Sequence, residues 1–272
     1  MPLRKGGLLL LVSILLAGTA CSRLTFVKPK LERGKYTQVA PDYQVQADTQ
    51  DQKRIASLNA QGMAAQQLGQ GQLEEAERQA RAAVADDPKS ADAHSMLAVV
   101  LQQRGEGRAA GAEYEKAVAL DPQRGTVLNN YAVWLCGNGR AAESLPFFDR
   151  ALADPSYPTP ATALGNAGSC ALAAGQPAYA EPRLRKALEL DPANAVALAA
   201  LADSEYRAGR YLEARAFSER RLAAAPATAD VLQLASQIEQ KLGDTAAAAR
   251  YVQRIKAEFP EKQTVPPGGT GQ

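Results

Sequence analysis

The pattern of apolar and polar residues from about residue 51 is dominated by alanine and carries no signal for strands. One motif returns at a fixed interval: a glycine, a small residue five positions later, and a proline near the end of each unit. The glycines are Gly71, Gly105, Gly139, Gly175, Gly209 and Gly243, with spacings of 34, 34, 36, 34 and 34 residues. Glycine permits the positive φ of a turn, a small residue lets two helices approach closely, and proline ends a helix. The sequence therefore predicts six helical hairpins over residues 51–260.

A 34-residue period with these marks resembles the tetratricopeptide repeat. The resemblance implies an all-α fold, a right-handed α-solenoid of six tetratricopeptide helical hairpins, in which each hairpin buries its apolar face against its neighbours. Pro146 and Pro182 fall at one register inside the second helices of hairpins 3 and 4. We expect these two helices to begin late, so that each proline lies in the tolerated first turn, and a bend in each helix is the alternative. Residues 261–272 lack an apolar period and are expected to form a disordered tail.

The first twenty residues have the features of an export signal. Two basic residues precede an apolar run that is too short to span a membrane, and small residues then lead to Cys21. This arrangement resembles a bacterial lipobox and implies a signal peptide over residues 1–20, a lipid on Cys21 and a lipidated flexible tether over residues 21–50. Ser22 at the next position favours the periplasmic face of the outer membrane as the destination. An ordinary cleaved signal with an incidental cysteine is the alternative.

Charge and composition exclude several classes of function. The chain has 31 basic and 29 acidic side chains, and loss of residues 1–20 would remove Arg4 and Lys5 and leave no net charge. A balanced surface argues against nucleic acid as a partner. The single histidine, His94, occupies a core register, and no Cys/His cluster has the spacing of a metal site. We therefore expect no catalysis, no cofactor, no metal and no small-molecule substrate.

The first helices of a solenoid line its concave surface, which is a surface for binding other proteins. In hairpins 3 and 4 the positions on or beside that surface carry amides, an aromatic side chain and small residues. The predicted partner-binding residues are Asn129, Asn130, Val133, Trp134, Asn166 and Ser169. Trp134 is the only tryptophan and is a candidate interface anchor, although it could equally pack between helices.

The two remaining cysteines differ by two positions in helix register, because Cys136 precedes its turn glycine by three residues and Cys170 precedes its own by five. Two residues rotate an α-helix by about 200° and advance it by about 3 Å. Side chains on neighbouring first helices can then meet at the distance that a disulfide requires. An exported protein meets an oxidising compartment, so we predict a Cys136–Cys170 disulfide, with two buried free thiols as the alternative.

Hairpins 3 and 4 also resemble a known family, the type IV pilus biogenesis and stability lipoproteins that act as pilotins of the pilus secretin. The matching residues are Asn129, Asn130, Tyr131, Leu135, Cys136, Gly139, Tyr157, Pro160, Asn166, Gly168 and Cys170. The resemblance implies a non-enzymatic lipoprotein that binds the secretin subunit and helps it to reach the outer membrane and form multimers. The alternatives are an assembly or scaffold lipoprotein of another envelope complex and a regulator that binds an enzyme through its groove.

Overall fold

A computed structural model describes residues 48–260, and within them the chain forms twelve α-helices and no strand. Short turns join the helices into six hairpins, as predicted. The helices are α1 (Thr49–Gly69), α2 (Leu73–Asp86), α3 (Ala91–Gln103), α4 (Gly107–Leu120), α5 (Gly125–Gly137), α6 (Ala141–Ala153), α7 (Pro160–Ala173), α8 (Pro177–Leu190), α9 (Ala195–Arg207), α10 (Tyr211–Ala224), α11 (Ala229–Leu242) and α12 (Thr245–Glu258).

The repeated glycines and small residues have the structural roles that their chemistry predicts. All six turn glycines have φ between 70° and 83°, a conformation that is strained for residues with a Cβ atom. The small residues five positions later are all buried where the two helices of a hairpin touch: Ala76, Ala110, Ser144, Ala180, Ala214 and Ala248. Several first helices begin at a side-chain cap, as where the Ser90 hydroxyl accepts from the Ala93 N–H.

The expectation that α6 and α8 begin late is wrong. Pro146 lies five residues into α6, and Pro182 lies five residues into α8. Each proline therefore interrupts the hydrogen-bond pattern of a helix that has already begun. Both rings are exposed, so neither clashes with the core. The packing of hairpins 3 and 4 holds both helices together despite the missing N–H.

The hairpins stack in chain order and form one solenoid. Each second helix packs against the first helix of the next hairpin, and successive first helices also touch one another from α1 to α11. Successive second helices make no comparable contact within residues 48–260. The first helices are thus the closely spaced inner row, and their exposed side chains form the inner surface of the stack.

The enlarged connection between α6 and α7 is folded onto hairpin 3. The Asp154 carboxylate accepts from the backbone N–H of Gly125 at 2.8 Å, and Tyr157 is buried against the same glycine. The hydrogen bonds from the Gly125 N–H and from Ser156 lower the pKa of Asp154. This connection fixes the relative position of α5 and α7.

The predicted signal peptide, the lipidation site Cys21, nearly all of the predicted tether and the tail at 261–272 lie outside the described residues. Within residues 48–260, none of the helices combines the length and the apolar character required to span a membrane.

Candidate protein-binding surface

Three asparagines form a row of carboxamides across the inner surface where α5 meets α7. Asn166 Nδ2 lies 3.4 Å from Asn129 Oδ1, and Asn129 Nδ2 lies 3.5 Å from Asn130 Oδ1. Asn129 is only 8% exposed, whereas Asn130 and Asn166 are half-buried. The structure therefore brings together three of the predicted partner-binding residues. Each carboxamide has both donors and acceptors, so the row can bind uncharged polar groups of a partner.

Val133 and Ser169 extend this row along the same face. Val133 is 36% exposed on α5, and Ser169 is half-buried on α7. Ser169 also lines a groove of about 600 Å³ that continues toward α9. Asp203 and Arg207 line the α9 side of this groove and form an ion pair at 2.8 Å. Along the stack, the inner surface thus carries amide side chains where α5 meets α7 and charged side chains on α9.

Trp134 is not part of this accessible surface. It is 8% exposed, stacks on Tyr131 with ring centroids 5.8 Å apart and packs against Tyr114. Too little of its surface is accessible for it to serve as an anchor for a partner, so that expectation is corrected. The alternative, a tryptophan packed between helices, is the arrangement that the structure shows.

Gly111 makes room for this tryptophan, a role that was not predicted from the sequence. A Cβ atom at Gly111 would lie 2.3 Å from Cζ2 of Trp134. Gly168 has the same role in hairpin 4, where a Cβ atom would lie 2.4 Å from Cγ of Leu184. A glycine in the middle of a predicted helix was the available signal, because glycine is unfavourable there without a packing reason.

A disulfide joins Cys136 of α5 to Cys170 of α7, with their Cα atoms 5.8 Å apart. Cys170 is buried, and Cys136 is half-buried. The bond links the two helices that carry the carboxamide row. It therefore limits how far Asn129 and Asn166 can separate.

His94 lies in the core of hairpin 2, as the sequence predicts. Its Nδ1 lies 2.6 Å from Oε2 of Glu113, and its Nε2 lies 3.1 Å from the Pro88 carbonyl oxygen. Burial raises the pKa of Glu113, but hydrogen bonds from Lys116 and His94 outweigh that effect and lower it. These contacts hold α3 against α4 and leave His94 inaccessible to a substrate. No group of three metal-ligating side chains occurs among residues 48–260.

The acidic residues in the first half of α2 differ in how far they are exposed. Glu74 is exposed, but the Glu77 side chain is 18% exposed and its Oε2 lies 2.9 Å from Nε of Arg104. Arg104 follows α3, so this pair joins hairpins 1 and 2. The pair is a structural contact between hairpins.

Comparison with known proteins identifies both the repeat and a set of relatives. Tetratricopeptide repeat families match residues 63–125, 96–159 and 171–238. The type IV pilus assembly protein PilF of Pseudomonas aeruginosa PAO1 is 32% identical over 193 residues, which cover 71% of this chain and 77% of PilF. The crystal structure of PilW, a widely conserved type IV pilus biogenesis factor, is 31% identical with a TM-score of 0.68 over 75% of this chain and 94% of PilW. A structure of P. aeruginosa PilF is 30% identical with a TM-score of 0.67 over 77% and 95%.

Proposed function

This chain belongs to the PilF and PilW family of tetratricopeptide proteins of type IV pilus biogenesis, and we propose that it is the outer-membrane lipoprotein that binds the pilus secretin subunit. In this role it promotes the localisation of the secretin and its assembly into multimers. It does so by binding and not by catalysis, which is the usual activity of a tetratricopeptide scaffold.

The observation that carries this proposal is the inner surface of hairpins 3 and 4. The accessible residues Asn130, Val133, Asn166 and Ser169 combine carboxamides, an exposed apolar side chain and a hydroxyl on two neighbouring helices. The Cys136–Cys170 bond holds those helices together. A preorganised surface loses little entropy on binding, so it suits a partner that must be recognised in a defined orientation.

The membrane part of the proposal concerns Cys21, which lies outside the described residues. We propose that Cys21 carries lipid and that residues 22–50 separate the lipid from the hairpins. A Cys21→Ser variant should lose acyl mass and leave the membrane fraction. A variant that stays membrane-bound like the wild type would contradict the anchor.

The functional test is a deletion followed by complementation. Deletion should leave the secretin as monomers, without SDS-resistant multimers, and should abolish twitching motility without a general envelope defect. Complementation with Val133→Asp or Asn166→Ala should restore multimers poorly, because both changes alter accessible inner-surface residues. Gln237→Ala on α11 is the matched control and should complement fully. Normal multimers in the deletion strain would refute the proposed function, and full complementation by both inner-surface variants would refute the site.

A further inference from the structure

Charged side chains are absent from α5 and α7, the two helices that carry the carboxamide row. Charged residues make up 22% of the whole chain. Neither the 13 residues of α5 nor the 14 residues of α7 include an aspartate, glutamate, lysine, arginine or histidine. Every other helix within residues 48–260 has at least one charged residue. The inner surface of hairpins 3 and 4 is therefore built from two adjacent helices without charge.

The same lack of charge extends to hairpins 1 and 2. The residues ten, nine and six positions before each turn glycine share one face of the first helix, as Asn129, Asn130 and Val133 do in hairpin 3. At these three positions Asp203 of hairpin 5 is the only charged residue in all six hairpins. The residues of hairpins 1 and 2 at these positions are Gln61, Gly62, Ala65, Ser95, Met96 and Val99. We call these positions in hairpins 1 to 4 the neutral band.

The neutral band is accessible, so burial does not explain its lack of charge. Ala65 and Val133 are exposed, and Asn166 and Ser169 are half-buried. Accessible positions commonly hold charged residues, and the exposed positions of the second helix α8 do so. Successive first helices touch one another, so the band is continuous from hairpin 1 to hairpin 4.

Charged residues that flank the band have partners of opposite charge. Asp92 lies three positions before Ser95 on α3 and forms an ion pair with Arg124 at 2.5 Å. Asp203, where the uncharged positions end, pairs with Arg207. These pairs do not offer an unpaired charge to a group bound on the band.

The band favours uncharged groups of a partner for two reasons. A charged group placed on it would lose hydration and meet no charge of opposite sign, which is costly. Uncharged polar groups can bind the carboxamides, because the hydrogen bonds within the row are long, at 3.4 and 3.5 Å. Val133 adds an apolar contact beside them. The surface is therefore complementary to a stretch of chain without charge.

The length of the band sets the length of that stretch. Helices that pack directly lie about 9 Å apart, so α1, α3, α5 and α7 together span about 27 Å. An extended chain covers this distance with about eight residues. About a quarter of the residues in an average protein are charged, so a run of eight without charge occurs at only about one position in ten. The absence of charge in a bound segment is thus an informative result.

We propose that the neutral band binds a stretch of the secretin subunit that is about eight residues long and has no charged side chain. The inference rests on the proposed function for the identity of this partner. It adds the chemistry of the bound segment, and it extends the contact from hairpins 3 and 4 to hairpins 1 and 2. Recognition of this kind is insensitive to ionic strength.

The first test is photo-crosslinking from the full chain in its native cells. p-Benzoylphenylalanine replaces Val133, and the matched control carries it at Gln237, which has the same register in hairpin 6. Position 133 should capture the secretin subunit within a run of about eight uncharged residues. Capture of a charged secretin segment would overturn the inference and leave the proposed function intact. Capture of only another protein or of a second copy of this chain, or capture no stronger than from position 237, would also overturn it. The deletion strain tests the proposed function separately, because its secretin multimers do not depend on which surface is used.

The second test measures the affinity of the purified full chain for a synthetic peptide of the captured segment. Affinity should fall by less than about twofold from low to high salt, because salt screens only charged groups. Val133→Lys and Val133→Glu should each weaken binding by about tenfold or more, because either charge loses hydration without gaining a partner. Gln237→Lys and Gln237→Glu are the matched controls and should leave affinity unchanged.

Three results of the second test would overturn the inference. They are a strong loss of affinity in high salt, opposite effects of the two charges at position 133, and wild-type affinity of both Val133 variants. Circular dichroism checks that each variant keeps its helix content. The salt dependence is measured on the unaltered chain, so it decides the case if a Val133 variant unfolds.

Discussion

Trp134 carries much of the packing between hairpins 2 and 3, where it lies between Gly111, Tyr114 and Tyr131. Truncation would leave a cavity that the surrounding helices cannot fill. We expect Trp134→Ala to reduce the free energy of unfolding by about 3–5 kcal/mol, as measured by urea denaturation followed by circular dichroism. Val133→Ala, on the neighbouring exposed residue, is the control and should change stability by less than about 1 kcal/mol. A Trp134→Ala chain as stable as the control would contradict the burial described above.

A second residue-scale prediction concerns the contact of Glu113 with His94 and Lys116. A lowered pKa in the folded chain means that the ionised carboxylate stabilises the fold above the pKa of the unfolded state, about 4.3. This contribution is lost as the pH falls through the lower, folded value. Glu113→Gln should therefore lower stability at pH 7 by about 1–2 kcal/mol and make it less sensitive to acid.

Measurement of unfolding free energy between pH 7 and pH 3 checks this prediction. Glu189→Gln, an exposed carboxylate of α8, serves as the control and should leave the acid dependence unchanged. Parallel curves for Glu113→Gln and wild type would show that the pair does not contribute.

The sequence predicted that His94 is buried, but it did not show which residues of the neighbouring helices surround His94 or Trp134. The core register of His94 follows from the repeat, so its burial was predictable. Trp134 occupies a register where its side chain could face either a neighbouring helix or solvent. The deciding residue, Gly111, lies on α4 in the preceding hairpin, and its role depends on a contact across hairpins that local sequence does not encode.

Within the helices, the two internal prolines are the clearest departure from local rules. Because both rings are exposed, replacement by alanine restores a backbone donor without removing core contacts. We expect Pro146→Ala and Pro182→Ala each to stabilise the fold by about 1–3 kcal/mol. Thermal and urea unfolding would measure the gain, and Glu181→Ala, in an exposed ion pair of α8, should change stability by less than about 1 kcal/mol. Loss of stability in both proline variants would show that the rings make contacts that the fold requires.

The turn of hairpin 3 allows a matched comparison between two glycines. Gly139 has φ of 78°, whereas Gly137 ends α5, and at neither would a Cβ atom meet another group within 4 Å. Gly139→Ala should destabilise the chain by about 1 kcal/mol, and Gly137→Ala should be neutral or stabilise it by up to about 1 kcal/mol. Equal effects in a denaturation experiment would mean that the turn tolerates a side chain.

The positions of the helical hairpins were the most predictable feature of this fold. Glycine, small residue and proline each act within one hairpin, so their spacing located all six hairpins. The late start expected for α6 and α8 was wrong. Proline is unfavourable inside a helix, but packing of the whole hairpin outweighs that local preference.

In the stack as a whole, each hairpin packs only against its neighbours. The Cys136–Cys170 bond adds a covalent link between two of them, hairpins 3 and 4. Closing a loop of this length should stabilise the chain by about 3–4 kcal/mol on the chain-entropy model. Guanidinium unfolding with and without reductant measures this difference, and a Cys136→Ser/Cys170→Ser chain should not respond to reductant. Alkylation of both thiols in the unreduced, denatured protein would contradict the bond.

The same bond has a mechanical consequence. The two cysteines are 34 positions apart in the sequence, and α6 lies entirely between them. When the two ends of the stack are pulled apart, hairpins can open from either end, but this segment adds no length while the bond is intact. Fully extended, it would measure about 115 Å at roughly 3.4 Å per residue. In single-molecule pulling, the oxidised chain should therefore stop short of the reduced chain by nearly that distance, with Asn166 of the carboxamide row held inside the covalently closed ring.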